Sequence, residues 1–255
     1  MPQSDASHEL QRRNLLRCAA LALGSAVFFF ALLILVKTGW SPLRRLDHAW
    51  VEPLHGYARR HAAWTASLQT MADLGSPLTM RILLGLAALW LWSLGARVLA
   101  CWAVAMAVVG WAVGQLGKEA VARPRPHFPD PVAVGGGYAF PSGHALASAL
   151  TCAVLVLLVW SRATPAGRVV ASTLAGLTVL AVGWTRVALG VHWPSDVLGG
   201  WLAAGLVLGG VTVTVELWRP GALLRDARRV DWRTRPRVQR VLVSEETPDH
   251  DRDQS

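Results

Sequence analysis

Charge is what this chain has least of. Asp, Glu, Lys and Arg make up 16% of its 255 residues, against about 25% in an average soluble domain. Acidic residues are the scarcer sign, 16 against 25 basic ones. In the segments 38–77, 117–140 and 185–196 the carboxylates are few: Asp47, Glu52, Asp73, Glu119, Asp130 and Asp196, with no D-x-D pair. The clustered carboxylates that a catalytic divalent cation needs are therefore missing. His48, His55, His61 and His127 show no metal-ligand spacing. Cys18, Cys101 and Cys152 are the 3 cysteines, each inside an apolar run, which excludes a disulfide framework and a zinc site. No run alternates with period 2, so strands are not expected. No internal repeat is present. The net charge of +9 comes without zinc-finger spacing or a basic patch interleaved with aromatics, so nucleic acid is not the expected partner. An anionic membrane surface accounts for most of it.

What is abundant is apolar. Hydrophobic residues make up 53% and the mean hydropathy is +0.36. Six runs stand out, at 18–36, 78–94 (interrupted by Arg81), 98–116, 145–160, 169–184 and 197–217. A bilayer core takes about 20 apolar residues per helix, and backbone in lipid must bond internally, which leaves helices. The fold class expected is all-α, a polytopic membrane bundle of about six transmembrane helices. Arg12 and Arg13 precede the first run as in a twin-arginine leader. The run is longer than the ~7–15 residues of a signal h-region, so an uncleaved first span is expected. Residues 1–14 read as a polar, disordered cytoplasmic segment. Residues 15–217 read as the membrane-embedded domain, with a core at 98–217. Residues 218–255 read as a basic, then acidic cytoplasmic tail, helical at first. Residues 38–77 read as amphipathic interfacial helix. Of the 13 tryptophans, Trp40, Trp160, Trp184, Trp193 and Trp218 lie near run ends, where interfacial rings belong; Trp102 lies inside a run and reads as packing.

The positive-inside bias favours both termini in the cytoplasm. With six spans, parity then puts the loop after the third span, the start of the fourth and the loop after the fifth on one outer face. These places hold the chemistry. Lys118 and Arg125 follow the third span, and Arg186 ends the fifth. Any one of them alone would be an interfacial cation reaching for headgroups. Together they can surround phosphate oxygens, for which arginine's planar fork is suited. Pro141-Ser142-Gly143-His144 opens the fourth span, where free amides and the helix dipole attract anions. Ser142 adds a hydroxyl, Gly143 allows close approach, and His144 stands at the edge as a candidate general acid. His192 and Asp196 are spaced i, i+4, so the carboxylate can orient the imidazole and stabilise its cation. His192 is the candidate nucleophile.

In this arrangement the chain resembles the phosphatidic acid phosphatase type 2 superfamily, which shares its core with vanadium haloperoxidases. The motifs K-x6-R-P, P-S-G-H and S-R-x5-H-x3-D stand here as Lys118…Arg125-Pro126, Pro141 to His144, and Thr185-Arg186…His192…Asp196. Thr185 replaces the usual Ser and keeps the hydroxyl. The resemblance implies a lipid phosphatase with a metal-independent phosphohistidine mechanism and no cofactor. It implies His192, His144 and Asp196 as the catalytic residues. Lys118, Arg125, Ser142, Gly143 and Arg186 would bind the phosphate. Candidate substrates are undecaprenyl diphosphate, phosphatidic acid and phosphatidylglycerophosphate. The expected location is a bacterial-type inner membrane with the site facing outward. Two other readings stay open. A vanadate-dependent haloperoxidase would not need detergent. A non-catalytic membrane protein binding lipid headgroups would have lost a motif residue, and none is lost.

Overall fold

The computed structural model describes residues 2–160 and 162–230. Among these the chain forms helices α1 (Pro2–Lys37), α2 (Ser41–Arg60), α3 (Ala62–Leu74), α4 (Pro77–Ser93), α5 (Arg97–Val121), α6 (Gly143–Trp160), α7 (Pro165–Ala188), α8 (Pro194–Trp218) and α9 (Ala222–Val230). The described residues contain no strand. Six segments are long and apolar enough to cross a membrane: Gln11–Lys37, Ala62–Ser93, Arg97–Val121, Gly143–Trp160, Pro165–Ala188 and Pro194–Trp218. Leu23, Phe28, Leu89, Leu174 and Leu177 are exposed along them. So much outward apolar surface belongs in lipid, and the molecule is a multi-pass membrane protein.

Two expectations need correcting. Residues 1–14 were expected to be disordered, yet α1 starts at Pro2. No Gly or internal Pro interrupts the turns before the apolar run, and Glu9 and Arg13 pair at i, i+4 with 2.9 Å between them; such pairs support a helix. The second crossing segment is also longer than 78–94. α3 leads into α4 across Gly75 and Ser76, whose side chain accepts from the Thr79 N–H. Residues 62–74 mix polar with apolar side chains, which hides their continuity with the run that follows. The amphipathic reading holds for α2, which buries the stripe Asp47, Val51, His55 and Ala58. The tail begins as the helix α9; residues 231–255 lie outside the described residues.

α1 lies along α8, and α6 packs between α7 and α8 with α4 and α5 on its other side. Two glycines set how close these helices come. A Cβ at Gly209 would stand 2.6 Å from Cys18 O, and one at Gly200 would stand 2.6 Å from Ser142 O. The first allows α1 to lie directly on α8. The second allows α8 to press against the start of α6, which brings two of the motifs together.

The end of the bundle opposite the motifs is laced with arginines. Arg97, Arg162, Arg168 and Arg219 lie over the rings of Trp92, Trp90, Trp160 and Trp218, pairing interfacial cations with interfacial rings. There α9 closes the bundle. Asp226 Oδ2 accepts the N–H groups of Val98 (2.7 Å) and Leu99 (3.3 Å), satisfying free amides at the start of α5.

Candidate active site

Every site residue expected from the sequence arrives at one end of the bundle. Lys118 is in the last turn of α5, Arg125 in the loop that follows, and Ser142 immediately before α6. Gly143 and His144 open α6. Arg186 is in the last turn of α7, and Asp196 in the first turn of α8. α7 faces outward along most of its length and is buried only over its last turns, from Val182, where it carries Arg186. The Leu189–Trp193 loop places His192 beneath it: the His192 N–H donates to Arg186 O at 3.1 Å. The Ser142 N–H donates to Asp196 O at 2.9 Å, so the α6 start and the α8 start are tied directly. His144 lies within electrostatic reach of Arg186, His192, Arg125 and Lys118.

His192 is 2% exposed. Its Nε2 lies 2.9 Å from Arg125 Nη1. The guanidinium can only donate, so this contact leaves the lone pair on Nε2 and the ring proton on Nδ1. Nδ1 faces Asp196 Oδ2 at 3.4 Å without the alignment of a hydrogen bond. Contacts of this kind shorten when substrate closes a site. Burial pushes the His192 imidazole down to about 4, against the opposing pull of Asp196 and with help from the Arg125 and Arg186 cations. At neutral pH the ring is uncharged.

The cations are poorly compensated. Arg125 is itself lowered by burial, with Asp196 opposing. Its Nη1 donates to Val191 O (2.6 Å), Nη2 to Gly136 O (2.8 Å) and Nε to Gly137 O (3.0 Å). These are carbonyl contacts; no carboxylate among the described residues forms an ion pair with it. Arg186 is 8% exposed and its Nε has no acceptor among the described residues. Lys118 likewise makes no ion pair with any of them. Three neighbouring cations, with Arg186 buried and Arg125 half-buried, are strongly unfavourable without an anion.

Sequence reasoning missed the support behind Asp196. Arg123 donates through Nη1 to Asp196 Oδ1 (2.6 Å) and Ser195 Oγ (2.7 Å), and through Nη2 to Asp47 Oδ2 (2.7 Å). Ser195 donates to Asp47 from its N–H (3.0 Å) and its hydroxyl (2.7 Å). Asp47 and Asp196 are both 0% exposed. Arg123 therefore bridges two buried carboxylates and fixes the one beside His192, whose Oδ2 also accepts the Trp193 N–H at 2.9 Å. The available signal was Asp47 standing in line with Val51, His55 and Ala58 on one face of an amphipathic helix. A carboxylate on a burying face needs a partner. Trp193, expected as an interfacial ring, also lies under Arg123 and donates from Nε1 to Pro124 O at 3.1 Å.

Fold and site together define a multi-pass helical membrane protein with two histidines among clustered cations. Residues 94–220 match the PAP2 superfamily, and the chain belongs to it. Over 135 residues it is 33% identical to Escherichia coli (strain K12) YbjG, provisionally named an undecaprenyl-diphosphatase; this covers 47% of the chain and 58% of that protein. Over 118 residues it is 32% identical to the undecaprenyl-diphosphatase of Sulfolobus acidocaldarius, covering 44% and 53%. The chain thus spans little more than half the length of these relatives. The crystal structure of a PAP2-type phosphatidylglycerolphosphate phosphatase from Bacillus subtilis superposes with a TM-score of 0.60 at 22% identity, covering 79% of this chain and 98% of that one. That likeness bears on the fold.

Proposed function

We propose that the chain is a lipid phosphatase that hydrolyses a phosphate ester or diphosphate at the membrane surface through a phosphohistidine on His192. The observation that carries this reading is the gathering of Lys118, Arg125 and Arg186 around His144 and the buried, uncharged His192, whose Nε2 lies 2.9 Å from Arg125 Nη1. Cations so placed require an anion, and a neutral Nε2 beside it is a nucleophile. The relatives named for undecaprenyl diphosphate hydrolysis support the same class.

In the mechanism that follows, the arriving phosphate takes over the Arg125 donors now facing His192. Arg186, Lys118, Ser142 and the α6 amides hold its remaining oxygens. Nε2 attacks phosphorus and the phosphorus–oxygen bond to the leaving group breaks. His144 gives that oxygen a proton. The same imidazole then takes a proton from water, which attacks the phosphohistidine, releases phosphate and frees Nε2. Asp196 stabilises the imidazolium that develops on His192. The site would face outward in a bacterial-type inner membrane, with both termini cytoplasmic; the arginine–tryptophan pairs at the opposite end agree with that orientation. Among the described residues no three His, Cys, Asp or Glu side chains gather as a metal site would require, and the route is written without a metal.

Three outcomes are expected. The acid limb of the kcat/KM profile falls near pH 4 instead of near the ordinary imidazole value, because only below it does His192 gain the proton that removes its lone pair. An acid limb at 6 to 7 would contradict a buried nucleophile. Arg125→Lys lowers kcat/KM by about 10–100-fold, since a point charge cannot replace a planar fork. Asp196→Asn lowers kcat less than loss of His192 does. The test of the class is phosphate release by detergent-purified protein in excess EDTA, from undecaprenyl diphosphate, phosphatidic acid and phosphatidylglycerophosphate. Release from at least one lipid is expected; none from any would contradict the reading.

A further inference from the structure

Arg81 interrupts the apolar run of α4 and lies within the crossing segment Ala62–Ser93. A cation at such a position is costly and ordinarily marks a binding site. Its Nε donates to Pro77 O at 2.8 Å. That is its one hydrogen bond to the described residues, and it makes no ion pair with them. The two terminal nitrogens are left with donors to offer. An arginine that merely reached for headgroups would turn to the outer surface of the bundle. Arg81 is exposed, yet it also lines a cavity of about 230 Å³ together with Lys118 and Gly143, both already placed at the phosphate site. Arg81 and Arg125 are the cationic neighbours of Lys118.

The cavity has a polar mouth and an apolar floor. At the mouth are Arg81, Gln115, Lys118 and the α6 start; deeper lie Leu84, Gly110, Trp111, Leu146 and Leu150. From Lys118 to Ala107, another lining residue, α5 covers 11 residues, about 16 Å at 1.5 Å per residue. The cavity therefore follows α5 from the phosphate site into roughly half of a hydrocarbon core. Gly110 and Gly114 put no side chain into it. One cation set, Arg125 and Arg186, stands at His192. A second, Arg81 and Lys118, stands between that set and the apolar floor.

We propose that Arg81, with Lys118, forms a second phosphate subsite at the mouth of this groove, so that the preferred substrate is a lipid diphosphate whose tail enters the groove between α4, α5 and α6. The inference rests on the phosphatase reading above and names its substrate class. The terminal phosphate sits at His192. The phosphate bonded to the lipid sits at Arg81, with Lys118, which neighbours both Arg125 and Arg81, reaching both phosphates. Nε2 forms a bond to the terminal phosphorus while the bridging phosphorus–oxygen bond breaks. The bridging oxygen leaves with its electron pair on the lipid monophosphate. Water then cleaves the phosphohistidine to inorganic phosphate. The developing charge on the leaving phosphate is what Arg81 and Lys118 neutralise. A lipid monophosphate has no second phosphate to offer them.

The experiment compares wild type, Arg81→Gln and Arg81→Lys, as full chains in detergent, on undecaprenyl diphosphate and on phosphatidic acid. Arg81→Gln is expected to lower kcat/KM for the diphosphate by about 10–100-fold, the loss of a charge-assisted contact. It should leave phosphatidic acid within about threefold, and Arg81→Lys should fall between. An equal loss on both lipids, or no loss on either, overturns the subsite. A second measurement does not depend on turnover. On a His192→Ala background, inorganic diphosphate is expected to bind more tightly than inorganic phosphate, and Arg81→Gln to abolish the difference. Equal binding of the two anions before that change overturns the proposal. If no lipid is hydrolysed while Arg81-dependent diphosphate binding persists, the phosphatase reading falls and the subsite stands.

Discussion

His192→Ala is expected to abolish phosphate release from lipid phosphates, by at least about a thousandfold, while the fold is kept. Two features make the effect large. The imidazole is uncharged at neutral pH with its Nε2 lone pair facing the Arg125 guanidinium, and no other described side chain combines nucleophilic nitrogen with that position. Among the described residues His144 is the only comparable group nearby, and it is the acid of the same scheme. Removing one member of a set that acts as a unit costs nearly as much as removing the set. The fold should persist because the described side-chain partner of His192 in a hydrogen bond is Arg125, which keeps its carbonyl acceptors. Thermal unfolding of the variant beside wild type checks the second half of the expectation. Near-normal turnover by a folded His192→Ala protein would remove the mechanism.

Arg123→Ala is expected to be the most damaging substitution outside the reacting groups. It strands two carboxylates that are both fully buried. Removing one partner of a buried pair costs about 3–5 kcal/mol, a large part of the ~5–15 kcal/mol by which domains are stable. The expected result is poor yield, a lowered melting temperature and loss of turnover through a displaced Asp196. Arg123→Lys should be intermediate, because an ammonium cannot span both carboxylates in one plane. Asp47→Asn in the Arg123→Ala background should recover part of the stability, since it removes one stranded charge. A melting curve for Arg123→Ala that matches wild type would show the bridge to be dispensable.

How far the sequence carried these conclusions depended on how local each cause was. The crossing helices were legible because lipid leaves backbone no alternative and because apolar runs announce themselves within some 20 residues. The His192–Asp196 pair was legible for a similar reason: both lie within one helical turn of the α8 start. The Arg123–Asp47 bridge was not. Its partners are 76 residues apart, and Asp47 becomes a partner only when α2 folds back over the α8 N-terminus. The same holds for Arg81, visible as an interruption of a span and without meaning until α4 and α5 enclose one cavity. The place of Trp193 beside an apolar run says nothing of the Arg123 cation above its ring, which comes from a distant segment. The α1 extension was missed because polarity was equated with disorder, although short-range ion pairs hold polar helices as well.

The most direct test of the account is to look for the covalent intermediate. Purified wild-type protein is mixed with undecaprenyl diphosphate carrying labelled terminal phosphate, quenched in alkali within the first turnover, and digested for mass spectrometry. The account predicts label on a single histidine, His192, stable in base and lost in acid, and none in His192→Ala. Turnover of the lipid with no labelled histidine at any quench time would contradict it and would point to direct attack by water.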